Sequence, residues 1–151
     1  MTVVFWRLLD NNVFDIDPNH NAYERHAMGV LKLRSVLFSW YDQRKRLNPH
    51  EDLQAMKELT AKMLGTRMHP KLRSKAAETK GLLFFSVDML AKFCHRLPFG
   101  DALLGAGKAL EKYVVTCASH GRNLAPSTIQ DCWRFLKRGR KIERQARRRG
   151  F

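Results

Sequence analysis

The sequence predicts an all-α fold: a single bundle of about five helices around one buried helix, with a short N-terminal arm and a basic C-terminal tail. Between residues 81 and 97 two adjoining apolar stripes run at helical spacing, so other helices must cover most sides of this segment. An apolar content of 44% in 151 residues is also enough for the core of one ordinary domain. The predicted organisation is an arm and loop over residues 1–19, a helical bundle over 20–136 and the basic tail over 137–151.

The N-terminal part begins with a short apolar run, residues 2–9, which suits either an extended arm or a brief helix. A turn-rich loop follows over residues 10–19. The first long helix is expected from about residue 22 to residue 46, where three consecutive cations favour a helix C-terminus.

A second helix is predicted on the surface. Asn48 suits its N-cap, Pro49 its first turn, and the carboxylate of Glu51 is placed to reach back to the cap. A narrow apolar stripe over residues 53–63 continues the helix, and Gly65 ends it.

The central helix is expected to open near Pro70, to loosen at Gly81 and to end at Pro98. A fourth helix follows, capped by Asp101 and ended by Gly121. Its small residues predict a close approach to the central helix. The side chains expected on its apolar face are Leu103, Ala106, Leu110, Val114 and Cys117.

The last helix is expected to begin near Ser127, which stands at capping-box spacing from Gln130. Four apolar residues are predicted to anchor it to the core: Ile129, Cys132, Trp133 and Leu136. Beyond Lys137 the apolar pattern lapses, so the tail cannot fold by burial of its own side chains.

The charge is unevenly distributed. The whole chain carries +14, and residues 134–151 hold nine basic residues against one acidic residue. An excess of this density favours a polyanionic partner, and arginine suits phosphate because its planar fork donates two parallel hydrogen bonds. The predicted nucleic-acid-binding residues of this region are Arg134, Lys137, Arg138, Arg140, Lys141, Arg144, Arg147, Arg148 and Arg149. A second predicted contact surface comprises Lys71, Arg73, Lys75 and Lys80, which this reasoning places at the start of the central helix.

Two other interpretations of the basic residues are open. The tail also resembles a solubilising extension or a nuclear-import signal. A helix-turn-helix would use the fourth helix, a turn over residues 120–126 and a DNA-reading helix from Thr128, although this connector is longer than usual.

Metal and catalytic sites are weakly indicated. Asp15, Asp17 and Asn19 alternate as in a calcium loop, but its diagnostic glycine and final glutamate are missing, so a loop with an Asx-type cap is predicted. Cys117 and His120 have a spacing that zinc permits, yet no second ligand pair accompanies them. No hydrolase or metalloprotease motif occurs, and we predict neither enzymatic activity, nor a cofactor, nor a small-molecule substrate.

The cysteines indicate the redox state of the compartment. Three cysteines in apolar runs suit free thiols in a reducing intracellular compartment, which is the cytosol, the nucleus or, for a mature form, an organelle matrix. No apolar run approaches the roughly 20 residues that span a bilayer.

These observations predict a non-catalytic RNA-binding or ribonucleoprotein structural protein, of which a ribosomal or organellar ribosomal component would be typical. RNA is preferred to DNA, and neighbouring proteins of a larger complex are expected as further partners. The alternative is a helical protein–protein interaction subunit with its tail on an acidic neighbour and its apolar arm, residues 3–9, docked into another chain. A helix-turn-helix DNA-binding protein is the second alternative.

Overall fold

The computed structural model describes residues 1–119 and, beyond them, residues 126, 127, 129, 130, 133, 134 and 137. Over this part of the chain the fold is all-α, as predicted, with five α-helices and one isolated bridge between Gly65 and Pro70. The helices are α1 (Thr2–Asp10), α2 (Ala22–Leu47), α3 (Ala61–Leu64), α4 (Ala76–Phe93) and α5 (Gly100–Ser119), and a 3₁₀ turn (Cys94–Arg96) follows α4. The chain forms two compact units, Met1–Ser86 and Val87–Phe151.

The apolar run at the N-terminus is a helix that packs within the first unit. Val4, Phe5 and Leu8 of α1 are buried, and Phe5 and Leu8 have no exposed surface. The Phe5 ring lies 6.0 Å from the ring of Phe85, measured between centroids. The N-terminal segment therefore contributes to the core of its own unit.

The loop after α1 is closed by one side chain. The Asn12 amide donates to the carbonyl of Ile16 at 2.9 Å, and its oxygen accepts from the Ile16 N–H at 2.9 Å. Val13 and Ile16, which belong to this loop, are buried. A capping box between Asn21 and Glu24 then begins α2.

α2 agrees with its predicted bounds to within one residue at its C-terminus. Its buried residues recur at helical spacing: Gly29, Val30, Leu33, Leu37 and Tyr41. The helix is polar on most of its remaining surface, as expected for a helix that covers a core on one side.

The predicted surface helix after Asn48 is wrong for most of its length. Residues 51–60 are not helical, yet Met56 and Leu59 are only 3% and 1% exposed. Glu51 does not cap a helix; it accepts two hydrogen bonds from Arg44, at 2.6 and 3.0 Å, which lower the pKa of its carboxyl group. An irregular segment thus buries part of the apolar stripe that predicted a helix, and Arg44 holds the start of this segment against α2.

The predicted start of the central helix at Pro70 is also wrong. α4 begins at Ala76, and Glu78 accepts a hydrogen bond from the Lys75 N–H at 2.9 Å at its N-terminus. Gly81 does not loosen the helix. It lies inside α4, where a Cβ atom would be 3.0 Å from the Tyr41 ring, so the absence of a side chain permits close packing with α2.

α4 is buried from residue 81 to residue 90 apart from Asp88, as the two apolar stripes predict. In the second unit, Gly107 of α5 approaches α4 so closely that a Cβ atom would be 3.1 Å from Val87 and 3.7 Å from Leu90. This contact confirms the predicted close approach of a helix rich in small residues.

The apolar face predicted for α5 is only partly covered. The residues of α5 that are buried are Gly100 and Ala109, whereas Leu110 is 38% exposed. Further along, Ile129 and Trp133 are 42% and 54% exposed, so their prediction as core anchors is wrong. Cys132, Leu136 and Gly121 lie outside the described residues.

Candidate nucleic-acid interface

The predicted contact residues Lys71, Arg73 and Lys75 lie on an irregular segment before α4 rather than on a helix. The Lys71 N–H donates to the Leu64 carbonyl at 3.2 Å, and the Arg73 N–H donates to the Met63 carbonyl at 2.9 Å. These carbonyls belong to the last turn of α3, whose oxygens have no partner inside the helix. The backbone of the segment is therefore held in place by the end of α3.

Exposure alternates along this segment. Lys71, Arg73 and Lys75 are exposed, whereas Leu72 and Ser74 between them are half-buried. The three cations are therefore open to solvent, while the residues between them are partly covered. No salt bridge engages these three side chains within the described residues. The result is a row of cations along a fixed backbone.

A tight turn precedes the row. Thr66 and His69 exchange two hydrogen bonds: the Thr66 N–H donates to the His69 carbonyl at 3.2 Å, and the His69 N–H donates to the Thr66 hydroxyl at 3.0 Å. Gly65 begins the turn with a φ of +71°, and a Cβ atom there would be 2.6 Å from the His69 carbonyl oxygen. Only glycine fits this position.

We define the basic segment as residues 62–75. It contains no acidic residue, and its cations are Lys62, Arg67, Lys71, Arg73 and Lys75. Four further residues of this segment are exposed and were not among the predicted contact residues: Lys62 and the turn residues Arg67, Met68 and His69. In the sequence, this region is recognisable because no acidic residue occurs between Glu58 and Glu78. Glu78 itself is buried at the start of α4.

Lys80 is engaged in the fold. Its ammonium group donates to the Asp52 carbonyl at 3.2 Å and lies 5.9 Å from the centre of the Phe84 ring. The side chain is half-buried on α4, so its contacts hold the irregular segment after Asn48 against the helix.

The C-terminal basic region is described only in part. Arg134 and Lys137 are helical and exposed. The other predicted contact residues lie outside the described residues: Arg138, Arg140, Lys141, Arg144, Arg147, Arg148 and Arg149. The connector predicted for the helix-turn-helix, residues 120–125, and Thr128 also lie outside them.

The loop predicted to form an Asx-type cap has that geometry: the Asp17 carboxylate accepts from the Asn19 N–H at 2.9 Å. Cys94 and Cys117, predicted to point inward, are half-buried, and His120 and Cys132 lie outside the described residues. Within the described part of the chain, no three or more His, Cys, Asp or Glu side chains converge as metal ligands.

Among the same residues, no helix is both long enough and apolar enough to cross a membrane.

The candidate contact residues thus fall in two separate places: the basic segment in the first unit, and Arg134 and Lys137 in the second. Comparison of the chain with protein-family models, with curated proteins and with solved structures finds no match.

Proposed function

We propose that this protein is a non-catalytic RNA-binding protein, a structural component of a ribonucleoprotein particle, which contacts phosphates through the basic segment and through the C-terminal tail. The observation that supports the proposal best is the row formed by Lys71, Arg73 and Lys75. Three exposed cations on a backbone fixed by α3 lose little conformational freedom of the main chain when they bind a polyanion.

The row favours a nucleic acid strand over an isolated anion. Its three separate exposed cations can each meet a different phosphate of one polyanion. Single-stranded RNA is preferred because these cations do not lie on a helix, whereas a duplex DNA reader of the helix-turn-helix type inserts a helix into the major groove.

The test is the salt dependence of RNA affinity. If the segment and the tail together neutralise about six phosphates, log Kd against log salt has a slope of magnitude roughly 4 for single strands and roughly 5 for duplex. Replacing Lys71, Arg73 and Lys75 with glutamine removes three contacts and lowers the single-strand slope by about 2. The matched control replaces Lys32, Lys45 and Arg46 of α2 with glutamine, which changes the net charge equally at exposed positions outside the segment.

Two further proteins separate the contributions. A chain ending at residue 136 lacks the tail, and comparable affinity of this chain and the full chain would discard the contribution of the tail. The Gly65→Ala variant keeps every charge but disturbs the turn, so RNA affinity is expected to fall while the net charge stays constant. Equal slopes for the segment variant and the α2 control would refute the assignment to the basic segment.

A helical interaction subunit of a larger complex is the second candidate. It is supported by exposed apolar side chains on α2, of which Tyr23 is 83% and Leu31 is 62% exposed. Sedimentation of the native particle before and after ribonuclease treatment distinguishes the two functions. Retention of the protein in the particle after complete RNA digestion would favour the interaction subunit.

A further inference from the structure

A small cleft opens on the first unit beside the turn of the basic segment. It has a volume of about 220 Å³ and is formed by the end of α1, the loop after it, the first turns of α2 and Arg67. This is smaller than the roughly 300–1,000 Å³ of sites for drug-sized ligands, so it suits a ligand the size of one planar ring with a substituent.

Part of the cleft wall is apolar. This part is formed by Leu9, Phe14, Ile16 and Ala22. The double hydrogen bond between Asn12 and Ile16 fixes the loop that carries Phe14 and Ile16. A planar, partly apolar group can therefore be desolvated against a wall that is already in place.

The rest of the lining is largely polar. Arg25 and Arg67 are exposed, and Arg67 donates to Asp10 at 2.5 Å. His26 is stacked on Trp6, with 4.8 Å between ring centroids and 3° between the planes. Burial lowers the pKa of His26, the charge of Asp10 opposes that shift and the charge of Arg67 adds to it. At neutral pH the lining therefore holds two guanidinium groups, one carboxylate and one neutral imidazole.

These groups match a nucleotide better than a simple anion or a simple apolar ligand. A guanidinium fork binds phosphate, while a carboxylate and a neutral imidazole accept hydrogen bonds from the amino or imino groups of a base. An aromatic side chain supplies a surface on which an unpaired base stacks.

We propose that this cleft binds one unpaired nucleotide, with its base against the wall that contains Phe14 and its phosphate at Arg25 and Arg67. The inference rests on the proposed RNA-binding function, because Arg67 belongs both to the cleft and to the basic segment. A strand laid along Lys71, Arg73 and Lys75 would thus place one nucleotide into the cleft.

The experiment titrates the full chain with adenosine, guanosine, cytidine and uridine 5′-monophosphates, with ribose 5-phosphate and with inorganic phosphate, followed by calorimetry and by amide chemical shifts. At least one nucleotide is expected to bind about tenfold more tightly than ribose 5-phosphate, with shifts at the loop after α1. Arg25→Gln is expected to weaken nucleotide binding about tenfold, whereas Lys32→Gln, an exposed cation on the same helix but outside the cleft, leaves it unchanged. Phe14→Leu keeps an apolar wall and should reduce the advantage of nucleotides over ribose 5-phosphate.

Equal affinity for all six probes would overturn the base site and leave an anion site. Absence of binding, or equal effects of Arg25→Gln and Lys32→Gln, would overturn the cleft assignment altogether. Failure of the cleft is distinct from failure of RNA binding. The salt slope of the basic segment tests RNA binding without mononucleotides, and nucleotide binding tests the cleft without an RNA strand.

Discussion

Phe5→Ala tests whether the N-terminal helix stabilises its own unit or serves another chain. The Phe5 side chain has no exposed surface and contacts the Phe85 ring, so its removal leaves a cavity. Truncation of a buried phenylalanine costs about 3–5 kcal/mol, and the higher helix propensity of alanine returns about 0.5 kcal/mol. For a chain of this length, a net loss of about 3 kcal/mol lowers Tm by roughly 10 °C.

The matched control is Val3→Ala on the same helix. Val3 is 42% exposed, so its truncation removes little buried apolar surface, and the gain in helix propensity offsets this small cost. We expect the free energy of unfolding to change by less than about 0.5 kcal/mol. The two variants are compared by urea unfolding followed by circular dichroism and by thermal scans of the isolated full-length chain.

The outcome bears on function as well as on folding. A large loss of stability for Phe5→Ala and none for Val3→Ala means that the apolar arm is occupied within its own unit and is not available for docking into a partner. Small and equal effects of the two variants would refute this reasoning. They would restore the hypothesis that residues 3–9 bind another chain.

Two further predictions concern side-chain interactions of α2. Arg44→Lys is expected to destabilise the fold by about 1–2 kcal/mol, because lysine cannot keep both the paired hydrogen bonds to Glu51 and the stacking on two aromatic rings. Urea unfolding measures this loss. The control Arg46→Lys, at an exposed position, should leave the free energy of unfolding unchanged. His26 makes the stability of the fold depend on pH, because burial holds its pKa in the folded state below the unfolded value of about 6.5. Below that pH the unfolded state binds more protons than the folded state. Stability therefore falls as the solution is acidified. Unfolding free energies at pH 7.5 and pH 5.5 should therefore differ more for the wild type than for His26→Phe, which keeps an aromatic ring beside Trp6. An equal difference for the two proteins would mean that His26 is not the source of the pH dependence.

Where the signals are local, the sequence predicts the elements well. The cations at the end of α2 act within one helical turn, and α2 has nearly the expected bounds. The apolar stripes of α4 were also sufficient to predict a buried helix, because a helix with apolar residues on several sides must be covered by other parts of the chain.

The candidate site was predictable in composition but not in geometry. The cations Lys71, Arg73 and Lys75 can be chosen from their charge alone. Their exposure on a non-helical segment depends on hydrogen bonds to carbonyls at the end of α3, and helical periodicity does not encode that pairing. The cleft was missed for a similar reason, since Arg25 and Arg67 are 42 residues apart in the chain.

By itself, then, the sequence determined the all-α class, the buried character of α4, the bounds of α2 and the excess of positive charge. These properties follow from composition and from periodicity within a few helical turns. Tertiary structure alone decided that residues 51–60 are irregular, that α4 begins at Ala76 and that α1 packs in its own unit. Each of these outcomes is a competition between local helix propensity and contacts distant in sequence, such as Phe5 with Phe85 or Lys80 with Asp52. Local propensities differ by less than about 1 kcal/mol per residue, and burial of one large side chain outweighs them.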